Sequence, residues 1–170
     1  GINLNDLWNN KPQVIDATAA IDFNNWTGWK IALEKAQKIT FKFHLEQKQN
    51  NKRYNKLSNG GYLNYLKVGK WDNKDYTYEN ILIRKDSSSW TYTQNKENGS
   101  FANLQDGIFS LPVKYAVEVS ADQKEFLYAN YRLVVEASVY GEKDEKISVP
   151  KESLLTDYVT YTIARILKSF

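Results

Sequence analysis

The sequence predicts an all-β sandwich of about seven to eight strands with little helix. Three observations carry that expectation. Several segments alternate apolar and polar residues with a period of two, which puts every second side chain on one face of a half-buried strand. The segments recur at the spacing of sandwich strands, with Asn-, Gly- and Ser-rich turns between them. Twelve Tyr and five Trp in 170 residues suit a pleated, half-buried surface, while short amides serve turns. Alternating strand–helix units and repeats of 20–50 residues, the marks of parallel-sheet and solenoid folds, are not visible.

In chain order, residues 1–11 read as a lead-in or expression-derived segment, and 12–170 as a single domain. "QVIDATAAIDF" alternates loosely and ends at Phe23. "NNWTGWKIALEKAQ" is a loop or one short helix around Ile31 to Gln37. "KITFKFHLEQ" is the cleanest early strand: Ile39, Phe41, Phe43 and Leu45 share one face, and Thr40, Lys42, His44 and Glu46 the other. "NGG" marks a turn, and the "YLNYLK" after it fits a helical turn or a strand edge. "TYENILIR" and "SWTYTQ" read as two β-segments, and "NKENGSFANLQDG" as a loop. "IFSLPVKYAVEVS" sets Val113, Tyr115, Val117 and Val119 on one face. "NYRLVVEASVY" does the same for Tyr131, Leu133, Val135, Ala137 and Val139. A charged hairpin or crossover loop leads to the closing strand "DYVTYTIARIL".

Composition bounds the chemistry. Twenty-three basic and 20 acidic residues give a net charge of +3, with the signs interleaved. That pattern argues against nucleic acid or an anionic membrane as partner. The chain has no Cys, so disulfides, thiolate metal sites and a Cys nucleophile are excluded. It has no Met either, so Gly1 reads as an expression remnant or the start of an excised piece. No apolar run approaches the roughly 20 residues that span a bilayer.

Few residues look catalytic. His44 is the one histidine, and without a nucleophile motif it reads as a sheet-surface residue rather than a general base. One His and no Cys exclude the usual zinc sites. "DNKD" at Asp72–Asp75 offers oxygen ligands that suit calcium, but its spacing is not that of an EF-hand, and a polar turn is the simpler reading. Asp16, Asp22, Glu79, Glu118 and Glu136 are the carboxylates from which a glycosidase pair would have to come; on strand faces they read as outward residues. No cofactor is expected. Trp26, Trp29, Trp71 and Trp90 lie in or near expected loops and are the candidate ligand-binding residues. Aromatic rings cover the apolar side of a sugar while neighbouring amides take its hydroxyls; the alternative is that they plug the ends of the sandwich.

The blocks "KITFKFHLEQKQ", "FSLPVKYAVEVS", "LYANYRLVVEASVYGE" and "DYVTYTIARI" resemble, in that order, a module of large cell-wall proteins of clostridia and related Firmicutes. The resemblance covers roughly residues 14–167, and its motifs are short and mostly structural. It implies an Ig-like or pilin-like sandwich at the cell surface, working in assembly or adhesion rather than catalysis. Sandwiches of this broad group often carry a self-made Lys–Asn or Lys–Asp isopeptide bond, which needs a buried neutral lysine. Here Ile163 stands where the pattern has Asn, and Lys38, Lys42 and Lys114 look outward, which argues against that bond.

The reading is a non-enzymatic, extracellular domain of a Gram-positive surface protein, serving as adhesin, pilin-like unit or stalk. Its expected partners are a host matrix protein, a glycan or neighbouring modules of the same protein. A carbohydrate-binding module of a secreted enzyme is the alternative, and a two-carboxylate hydrolase a third.

Overall fold

The computed structural model describes residues 14–48, 53, 55–56, 63–84, 86–117, 127–149 and 160–165. Within these, only the backbone is described at 47–48, 55–56, 64, 117, 127–131 and 160–165. The described elements are β1 (Val14–Asp22), α1 (Trp29–Lys35), β2 (Ala36–Lys48), β3 (Asn55–Lys56), β4 (Leu63–Trp71), β5 (Tyr76–Asn80), β6 (Trp90–Asn95), β7 (Leu104–Gln105), β8 (Ile108–Val117), β9 (Leu127–Gly141), β10 (Lys146–Ile147) and β11 (Thr160–Arg165). Eight strands have five residues or more, and three have two.

The strands form two antiparallel sheets. Sheet A runs β1-β8-β4-β5, with β7 also on β8. Phe109 pairs with Ile21 on one side and Leu104 on the other, so β7 lies on the β4 side. In sheet B, β9 has β2 on one edge and β10 and β11 on the other. β2 in turn has β6 and β3 on its far edge. Among the described residues each sheet is therefore four strands wide, and the all-β sandwich read from the sequence is the fold. No helix among the described residues is long and apolar enough to cross a membrane.

The alternation explains the core. Ile39, Phe41, Phe43 and Leu45 of β2 are buried, as are Leu133, Val135, Ala137 and Val139 of β9. They face Ala19 and Ile21 of β1, Leu66 and Val68 of β4, and Phe109, Leu111, Val113 and Tyr115 of β8. The Phe41 and Phe109 rings meet across the two sheets, with centroids 4.7 Å apart. Val117, Val119 and Tyr131, expected on the same faces, have side chains outside the described residues.

"YLNYLK" is a strand, and its illegibility has a physical cause. The register of β4 on β8 shifts between Leu63 and Tyr65, so Leu63 and Leu66 are both buried although three positions separate them. A bulge breaks the period of two on which strand reading depends. The helix begins two residues earlier than expected, at Trp29, after Gly28 with φ 83°, a left-handed conformation that glycine adopts without strain. It ends at Lys35 because Ala36 is already extended (φ −70°, ψ 144°).

A buried amide pair joins the sheets. Gln94 of β6 and Asn103 of the β6–β7 loop are the buried polar residues among those described. The Asn103 N–H donates to Gln94 Oε1 (3.1 Å), and Gln94 Nε2 donates to Asn103 Oδ1 (2.9 Å) and to the Tyr92 hydroxyl (3.0 Å). Asn103 Nδ2 donates to the carbonyls of Gly69 and Ser110, both at 2.8 Å, and Oδ1 also accepts the Trp71 N–H at 3.0 Å. Asn103 thus sits where the β4 side of β8 changes partner: pairing with β4 ends at Val113 and pairing with β7 starts at Phe109. Pro112, with no N–H to give a ladder, lies in that interval.

Candidate ligand-binding surfaces

The four candidate tryptophans do not converge. Trp90 is the clearest correction. It opens β6, where "SWTYTQ" predicts a β-segment, points into the sandwich and is 4% exposed. Alternation with Tyr92 and Gln94 puts it on the inner face of sheet B, so it is core and not a ligand contact. Trp26 packs at the end of the sandwich against Phe23, with centroids 6.1 Å apart. Trp29 starts α1 and lines a small cavity. Trp71 ends β4 on the solvent-facing side of sheet A.

The cavity at the Trp29 end has a volume of about 280 Å³ and is walled by Trp29, Leu33, Phe101 and Leu104, with Lys96 and Ser100 at its polar side. Lys96 is already engaged. Its ammonium donates to the carbonyls of Leu33 (2.6 Å) and Glu34 (2.9 Å) at the helix C-terminus, where a cation satisfies orphan carbonyls and the helix dipole. Burial lowers the Lys96 pKa, against the opposing pull of Glu34 and Glu142. The cavity is small against the roughly 300–1,000 Å³ of ordinary ligand pockets, and its main cation serves the fold.

The outer face of sheet A is different. Leu66 and Val68 point inward, so Tyr65, Lys67, Gly69 and Trp71 of β4 point outward. Register places Tyr76, Tyr78 and Asn80 of β5 beside Trp71, Gly69 and Lys67 on that same face. The Trp71 and Tyr76 rings lie 4.9 Å apart at 55°, and Tyr76 is 38% exposed. A Cβ on Gly69 would lie 3.3 Å from Tyr78 Cε1 and 3.4 Å from Tyr76 Cβ. Tyr78 therefore lies across β4 in the space a side chain would fill. The Lys114 ammonium of β8 sits 4.6 Å from the Tyr78 ring centre, and that of Lys67 5.3 Å from Tyr65. Four aromatic rings and two ammonium groups thus share one solvent-facing sheet surface, where alternation ordinarily leaves small polar residues. Sequence reading found only Trp71 of this group. The outward phase Tyr65-Lys67-Gly69-Trp71 was the available signal, and the bulge before it hid the phase.

The other candidates resolve simply. Asp72 Oδ1 accepts the Lys74 and Asp75 N–H groups at 2.9 and 2.7 Å, and these bonds lower its pKa. "DNKD" is a self-satisfied turn between β4 and β5, with Asn73 in the left-handed region (φ 76°). Asp16 lies on the outer face of sheet A and Glu136 on that of sheet B, opposite Lys42. Asp22 accepts from Asn24, and Glu79 is exposed on β5. These carboxylates do not form a pair; Glu118 lies outside the described residues. No lysine with a described side chain is buried, so the isopeptide requirement is not met among them.

His44 lies half-buried on the outer face of sheet B, 3.2 Å from Glu46 Oε2, and Arg132 donates to Glu46 Oε1. Burial alone would raise the Glu46 pKa, but the hydrogen bonds from Arg132 and His44 outweigh it and the net shift is downward. The stabilisation this gives is complete above the ordinary value of 4.5 and is lost as pH falls through the lower folded value. Urea midpoints measured from pH 7 to pH 3 should therefore fall less steeply for Glu46→Gln than for the native chain. Parallel profiles would contradict the assignment.

No protein-family model matches the chain, and no curated protein matches it in sequence. Among solved structures it is similar to the collagen-binding subdomain of the Enterococcus faecalis surface protein ACE. That likeness has 9% identity over 89% of this chain and 86% of the other, with a TM-score of 0.34. It is also similar to a structure of Gaeumannomyces graminis manganese lipoxygenase with partial Komagataella pastoris zonadhesin. There the identity is 10%, over 92% of this chain and 48% of that one, again with a TM-score of 0.34. At that level of superposition neither likeness carries a family or a ligand to this chain.

Proposed function

We propose that the domain is a non-enzymatic binding module of a Gram-positive cell-surface protein, an adhesin-like unit that engages a host matrix protein or glycan through the outer face of sheet A. The observation that supports this reading is the solvent-facing aromatic group of Tyr76, which is exposed, with the half-buried Trp71 and Tyr78, set on two paired strands beside Lys67 and Lys114. Exposed aromatics clustered on rigid backbone are what binding hot spots use. The cell-surface setting rests on the resemblance of the four sequence blocks. A carbohydrate-binding module of a secreted enzyme is the second reading, and the Trp71–Tyr76 pair favours it. Against it stands the 55° between the rings, which is not the coplanar strip that a flat polysaccharide surface takes.

The test is a binding screen of the immobilised chain against glycans and matrix proteins. Trp71→Ala and Tyr76→Ala are expected to weaken a saturable hit about thirtyfold or more each, the hot-spot range, while Trp29→Ala leaves it intact. A hit that Trp29→Ala abolishes and Trp71→Ala does not would move the site to the end cavity. A blank panel would favour a stalk or assembly unit.

A further inference from the structure

The ligand class can be read from the charges on this face, on the premise that the face is the binding surface. Strand register sets Asp16, Lys114, Lys67 and Asn80 in one row across β1, β8, β4 and β5. Lys67 and Lys114 are direct cross-strand partners, and like charges so placed oppose each other. The one carboxylate in the row, Asp16, is 3.9 Å from Lys114 and its side chain is 75% exposed, a loose pair that offsets one of the two ammonium charges and leaves that of Lys67. No carboxylate among the described residues pairs with Lys67. The row therefore holds an uncompensated positive charge.

The two ammonium groups are also held in place. Each lies over a tyrosine ring, Lys67 over Tyr65 and Lys114 over Tyr78, an attraction that keeps a flexible chain low on the sheet. Lys114 reaches Tyr78 across β4 at Gly69, where no side chain stands between them. Because Tyr78 fills the space over Gly69, the surface has no hole there for an inserted side chain. The Trp71–Tyr76 pair lies about 13 Å from Lys67 along β4, at about 3.3 Å per residue.

We propose that this face takes an acidic polysaccharide, with its carboxylate or sulfate groups between Lys67 and Lys114 and a sugar ring against the Trp71–Tyr76 pair. The lysine pair supplies charge-assisted hydrogen bonds to an anion. The aromatic pair supplies apolar contact for the ring, and the separation suits a short run of linked rings rather than a single one.

The experiment measures binding of the 170-residue chain to hyaluronan (carboxylate alone), chondroitin sulfate (carboxylate and sulfate) and neutral dextran at 50 and 500 mM NaCl. The expected result is binding to one or both acidic chains, weakened by salt as charge screening requires, and none to dextran. The arm that binds more tightly identifies the anion. Lys67→Gln with Lys114→Gln should weaken binding about tenfold or more with a Tm close to native, because relief of the cross-strand repulsion offsets the lost contacts with Tyr65 and Tyr78. Equal binding to dextran, unchanged binding by the lysine variant, or capture of a matrix protein alone would overturn the ligand class and leave the surface standing if Trp71→Ala still abolishes the signal. Binding that survives Trp71→Ala and Tyr76→Ala would overturn the surface as well.

Discussion

Replacing Asn103 with Ala should lower stability by about 3–5 kcal/mol, since each buried polar group left without a partner costs about 1–3 kcal/mol. The side chain satisfies the carbonyls of Gly69 and Ser110 and the N–H of Trp71, and shares a bond with Gln94. All of these groups belong to strands that must hold the two sheets together, so removing one amide leaves the Gly69 and Ser110 carbonyls and the Trp71 N–H to find other partners, while Gln94 Nε2 keeps the Tyr92 hydroxyl. Asn103→Asp is the sharper variant because the shape is kept. A carboxylate oxygen would then face two carbonyl oxygens that Asn103 Nδ2 meets at 2.8 Å, and a buried charge would be added. Urea denaturation of the two variants checks this, with losses under about 1 kcal/mol, the scale of an ordinary net hydrogen bond, contradicting it. The loop 96–103 carries this joint, although it looks like an ordinary polar connection in sequence.

Phe41→Ala should cost about 3–5 kcal/mol, the range for deleting a large aromatic from a packed core. Phe41 is 1% exposed. It stands on β2, the strand paired with both β6 and β9, and its ring contacts Phe109 of the opposite sheet and Tyr92 of the neighbouring strand. Strands on both sides fix the backbone, so the cavity has little room to collapse. Phe41→Leu should recover much of the loss, whereas Thr40→Ala, on the outer face, should change stability little. Thermal or urea unfolding of the three variants reads the difference, and equal losses for Thr40 and Phe41 would contradict the assignment of faces.

Where strands alternate cleanly, the sequence was enough to read them. β2 and β9 declare their faces because Phe41, Phe43, Val135 and Val139 leave no competing phase, and these strands also carry the centre of sheet B. β4 does not, because the bulge between Leu63 and Tyr65 moves the phase by one residue. That shift conceals that Tyr65, Lys67 and Trp71 share an outward face. The candidate site also depends on pairing between strands. Tyr78 meets Lys114 only because β5, β4 and β8 are neighbours and Gly69 stands between them, and adjacency of strands distant in sequence is not written in local pattern. Trp90 shows the reverse error: at the start of a β-segment beside a serine-rich turn it looks available to a ligand, yet its alternation with Tyr92 and Gln94 makes it core. The amide pair Gln94–Asn103 was invisible for a related reason, since polarity in sequence reads as exposure unless a partner is known.

The claim that matters most is that the outer face of sheet A, and not the end cavity, receives the ligand. Two-dimensional ¹H–¹⁵N NMR of the chain, titrated with whichever probe binds in the screen, tests it directly. Chemical-shift changes should concentrate on the Trp71 indole N–H and on the backbone of Lys67, Gly69, Tyr76, Tyr78 and Lys114, with the Trp90 indole unmoved. Changes confined to Trp26, Trp29, Lys96 and Phe101 would contradict the account and place recognition at the cavity beside α1.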